Sequence, residues 1–74
     1  MKFIYPETDP DPRHHAVNVQ QQLTDLIDHL RSDQLRFQDP KAQALFDTGA
    51  EVLTGLRAAF EHFEKSGEPT AAMV

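Results

Sequence analysis

From Asp39 to Ser66 apolar residues recur at alternating spacings of three and four, at Ala42, Leu45, Gly49, Val52, Leu56, Ala59 and Phe63. That spacing places them on one stripe of an α-helix. Phe46, Leu53 and Phe60 form a second stripe beside the first, so this helix is apolar over more of its circumference than one partner helix can cover. Its start is marked by Asp39-Pro40: the carboxylate accepts from a free N–H of the first turn, and proline at the first position loses no bond it needed. Gly67 marks its end. The predicted helix spans 40–66.

Asp11-Pro12 repeats the start signal and predicts a first helix over about 12–37. Its apolar seam is Ala16, Val19, Leu23, Leu26, Leu30 and Phe37, with Asp33 the one polar member. Each helix is then about 38 Å long at 1.5 Å per residue. Gln38 and Asp39 leave only a tight connection, so the helices fold back on each other: an all-α, antiparallel two-helix hairpin over 12–66. Counting back from the turn pairs Ala16 with Phe63, Val19 with Ala59, Leu23 with Leu56, Leu26 with Val52, Leu30 with Gly49 and Phe37 with Ala42. Large faces small in most layers, as close packing requires. In this register Asp33 faces Leu45 at a wet end, with Lys41 or Arg36 to neutralise it. Gly49 and Gly55 cost helix stability, about 1 kcal/mol each against Ala, so close helix approach is expected to demand both.

With that seam closed, Phe46, Leu53 and Phe60 face Gln34, Ile27 and Gln20 on a flank, where polar partners cover them incompletely. A chain of 74 residues builds a small core, and domains of this size commonly gain stability by oligomerising. Ile27, Phe46, Leu53 and Phe60 are therefore the expected interface, and the expected assembly is a homodimer forming a four-helix bundle. The same stripe also suits another protein, including a larger enzyme to which this chain is an accessory subunit.

Residues 1–11 read as an extended arm, with Pro6 and Pro10 opposing regular structure and Phe3, Ile4 and Tyr5 forming an apolar patch. That patch is expected to anchor the arm on the helices, near Phe46, Leu53 and Phe60. Residues 67–74 combine a breaker, a proline and small side chains, and are expected to form a flexible tail.

The net charge of −5, with lysines and arginines scattered among carboxylates, opposes binding to nucleic acid or anionic membranes. No run approaches the ~20 apolar residues of a membrane span, and the amino terminus lacks the apolar core of a secretory signal. With no cysteine present, disulfides, thiol catalysis and cysteine-ligated zinc are excluded. A cytoplasmic protein is expected.

Little else in the chain carries chemistry. The two serines, Ser32 and Ser66, lie near predicted helix ends and outside any strand-turn-helix elbow. The glutamate-x-x-histidine motif of di-iron bundles is missing. Four histidines remain. His15 and His62 fall on the same flank at the open end of the hairpin, next to Glu61, which makes them the candidate metal ligands. Asp25, His29 and Asp33 stand four residues apart, the spacing of solvated histidine-aspartate pairs on one helix face. The leading expectation is a non-enzymatic protein without cofactor that acts by binding protein, and the alternative is a metal-binding or metal-sensing bundle.

Overall fold

The computed structural model describes residues 3–66. Helix α1 spans Pro12–Arg36 and helix α2 spans Pro40–Ser66, packed against each other as an antiparallel hairpin. The expected tail, 67–74, lies outside the described residues.

Both start signals operate as their chemistry requires. The Asp11 carboxylate accepts from Arg13 N–H at 2.8 Å, and the Asp39 carboxylate from Lys41 N–H at 3.0 Å. Helix α1 ends at Arg36, one residue short of the expected limit. Phe37 is its C-cap with an extended backbone, and the Arg36 guanidinium lies 5.5 Å from the Phe37 ring centroid. The last carbonyls of a helix lack intrahelical partners. Here Gln43, reaching back from α2, donates through Nε2 to the Phe37 carbonyl at 2.8 Å and to the Gln34 carbonyl at 3.4 Å. One side chain of the second helix thus closes the end of the first and fixes the tight turn.

Contacts between the helices define the register. Near the turn Arg31 Nη1 meets Asp47 Oδ1 at 2.6 Å, and a Cβ added at Gly49 would lie 3.5 Å from Leu30 Cδ1. Farther along, Arg57 donates to Thr24 Oγ1 at 3.2 Å and Gln20 to Glu64 Oε1 at 3.4 Å. The closed end keeps the expected Leu30–Gly49 layer.

Around that layer α2 turns a different stripe inward. Leu45 and Val52, expected in the seam, are 67% and 64% exposed. Ile27 is 7% exposed and Ala50 fully buried. The Leu30–Gly49 and Thr24–Arg57 contacts bracket a layer in which Leu53 stands opposite Ile27. Phe46 and Phe60, on the same stripe as Leu53, are half-buried with it. The wider aromatic stripe removes more apolar area from water when it faces α1, and the Arg31 and Arg57 bonds hold α2 in that rotation. The residues expected at an outer interface therefore lie toward the hairpin seam, and part of the expected seam is left outside.

Two further expectations are corrected. Gly55 has open space where a Cβ would sit, and Gly49 has ordinary van der Waals room, so neither is required by close helix approach. The Asp33 carboxylate contacts His29 Nε2, four residues earlier, at 3.0 Å; Lys41 and Arg36 play no part in that contact.

Candidate functional site

The hairpin has two flanks of different character. Along one lies the arm, held at three points. Asn18, 4% exposed, uses its whole amide on one residue of the arm: Tyr5 N–H donates to Asn18 Oδ1 at 2.9 Å, and Asn18 Nδ2 donates to the Tyr5 carbonyl at 2.8 Å. A buried amide needs both its donor and its acceptor satisfied. Among the described residues no buried side-chain polar atom is left unpartnered. The Tyr5 ring stacks on His14, centroids 4.0 Å apart and nearly parallel.

The third point is the turn at Asp9. Asp9 N–H donates to the Pro6 carbonyl at 3.0 Å, and the Asp9 carboxylate accepts from Asp11 N–H at 2.8 Å and from His14 Nδ1 at 3.0 Å. His15 Nε2 donates to the Asp9 carbonyl. The Asp11 backbone bond above all, then the His14 bond, holds the Asp9 carboxyl below the ordinary aspartate value of 3.8, because both stabilise the ionised form.

Arm and hairpin together border a groove of about 380 Å³ lined by Ile4, Val17, Gln20, Gln21, Thr24, Arg57 and Glu61. Phe3 and Ile4 remain largely exposed. The arm is held at Tyr5 and Asp9, chiefly by main-chain bonds and one ring stack, and not by Phe3 and Ile4 packing beside Phe46, Leu53 and Phe60 as the apolar patch led one to expect. Asn18 was the residue that sequence reasoning missed. Its only signal was an asparagine inside a helix, where its propensity is poor.

On the opposite flank α2 presents Leu45 and Val52, two turns apart on one stripe, and α1 presents Leu26 beside them; all three are exposed. Leu56, Ala59 and Phe63 continue the α2 stripe half-buried. The core between the helices is thin. Ala16, Ile27 and Ala50 are its buried apolar members, and no large side chain among the described residues is fully enclosed.

The expected metal set is not assembled. His15 turns to the arm, His62 is exposed, and Glu61 forms an ion pair with Lys65 at 3.1 Å. Among the described residues no three histidine, aspartate or glutamate side chains are grouped to hold a metal ion. No described helix is long and apolar enough to cross a membrane. No family model matches this chain, and comparison with curated proteins and with solved structures found no match.

Proposed function

We propose that this chain is a non-enzymatic cytoplasmic interaction module that works as a homodimer, two hairpins joining through the flank of Leu26, Leu45 and Val52 into a four-helix bundle. The observation that carries this reading is the asymmetry of the flanks: the arm lies along one, and the other is apolar and uncovered. Two buried alanines and one buried isoleucine are a slender core for a chain that must offset its conformational entropy. A second copy supplies the missing layer. Two helices side by side, each about 38 Å long and about 10 Å across, present a flank of roughly 760 Å². That approaches the ~800 Å² per partner of a standard stable interface. A twofold axis through this flank brings each stripe against its own copy and needs no foreign surface.

Sedimentation equilibrium tests the reading. The wild-type protein is expected at twice its 8.4 kDa chain mass, and Val52→Asp at the chain mass with its helical circular dichroism largely kept. A folded wild-type monomer at tens of micromolar refutes self-association through this flank.

A further inference from the structure

We propose that the groove bordered by Ile4, Thr24 and Arg57 binds a small aliphatic monocarboxylate, its carboxylate held by Arg57 and Thr24 and its chain lying against Ile4 and Val17. The groove lies on the flank opposite Leu26, Leu45 and Val52, so the site does not rest on the homodimer.

The first observation is the state of Arg57. The other described arginines each have an acid or a ring for company: Arg13 lies 3.7 Å from Asp11, Arg31 lies 2.6 Å from Asp47, and Arg36 stands over the Phe37 ring. Arg57 is half-buried, and among the described residues its guanidinium makes one bond, from Nη1 to Thr24 Oγ1 at 3.2 Å, and meets no carboxylate. Glu61, one turn further along α2, stands where an ion pair with Arg57 is expected, yet it pairs with Lys65 at 3.1 Å. A guanidinium carries several N–H donors in a planar fork that suits a carboxylate. Most of those donors are left over at Arg57, and the residue lines the groove.

The second observation is Thr24. Its hydroxyl oxygen accepts from Arg57, which leaves its own O–H to donate. A charged N–H and a hydroxyl side by side match the two oxygens of one carboxylate, and bonds of this charge-assisted kind are the stronger ones. The third observation is the wall beside them. Ile4 is 60% exposed and Val17 is half-buried, and both border the groove. The Tyr5–Asn18 pair fixes the residue next to Ile4, so the aliphatic wall is held in place before anything binds.

These features set the ligand's chemistry. An aliphatic chain covers Ile4 and Val17 and removes their apolar surface from water. Arg57 is the one cation bordering the groove, and Glu61 is already offset by Lys65, so a single negative charge is matched and a second is not. The volume of about 380 Å³ lies toward the small end of ligand sites, which calls for a short chain.

The test is an NMR titration of the full chain with 4-methylpentanoate, followed at the Ile4 and Val17 methyl groups. Saturable shifts at both are expected, with at least tenfold weaker binding of 4-methylpentanamide, which has the same shape and no charge. Arg57→Gln should weaken the acid at least tenfold, and Ile4→Ser severalfold, while Lys41→Gln, at the turn and away from the groove, leaves binding unchanged. Equal affinity for acid and amide in the wild-type protein overturns the proposal, and that comparison decides it even if Arg57→Gln fails to fold. It is also overturned by the absence of saturation, by a folded Arg57→Gln that binds as wild type does, or by an equal loss in Lys41→Gln, which would mean that the loss follows net charge.

Discussion

Tyr5 and Asn18 face each other as a closed pair, the tyrosine main chain giving and receiving one hydrogen bond with an amide buried in helix α1. This pair ties residues thirteen positions apart and turns an otherwise unstructured arm into part of the fold. Asn18→Asp keeps the acceptor and removes the donor, leaving the Tyr5 carbonyl without its partner and a carboxylate in a buried position. The expected cost is about 1–3 kcal/mol. In a domain of this size that lowers the melting temperature by several degrees. A melting curve identical to wild type would show that the arm does not stabilise the folded chain.

Replacing Gly55 should strengthen the protein. A Cβ there meets no neighbour, so Gly55→Ala gains helix propensity, about 1 kcal/mol, with no packing penalty. Chemical denaturation should show a higher midpoint with an unchanged slope. A lower midpoint would mean that another surface covers this position.

Ile27→Ala and Val52→Ala test which stripe faces inward. Ile27 is buried opposite the Leu53 stripe, so its truncation should cost at least about 2 kcal/mol. Val52 is exposed on the single chain, and Val52→Ala should leave the stability of an isolated monomer nearly unchanged. The comparison belongs at protein concentrations low enough to dissociate any dimer. A reversed order of effects would restore the seam expected from spacing alone.

The Asp9 latch predicts a dependence on acid. Its carboxyl titrates below the ordinary 3.8 when folded, so the unfolded or detached state binds the proton more readily. The stabilisation it provides is complete above the ordinary aspartate range and is lost as pH falls through the lower, folded value. NMR signals of Tyr5 should therefore move toward those of a free arm as the solution is acidified below about pH 4. Asp9→Asn should remove this acid-dependent step. If the Tyr5 signals move identically in both proteins, the latch is not the titrating element.

The sequence by itself determined the two helices, their capping and their antiparallel closure, because those depend on neighbours within a turn or two: the Asp-Pro starts, the three-four spacing and the short connection. The apolar run Phe3, Ile4 and Tyr5 did not by itself determine how the arm is held, since Phe3 and Ile4 stay exposed and Tyr5 is held through its main chain and a ring stack. Spacing states which residues share a stripe and is silent on the rotation of the helix that carries it. With two adjacent apolar stripes on α2, either could face α1. Only the tertiary structure decided, through the larger area of Phe46, Leu53 and Phe60 and the Arg31–Asp47 and Thr24–Arg57 contacts. Asn18 was beyond reach for the same reason. Its role depends on a main-chain pairing with Tyr5, and main-chain groups are the same in every residue that could have stood there.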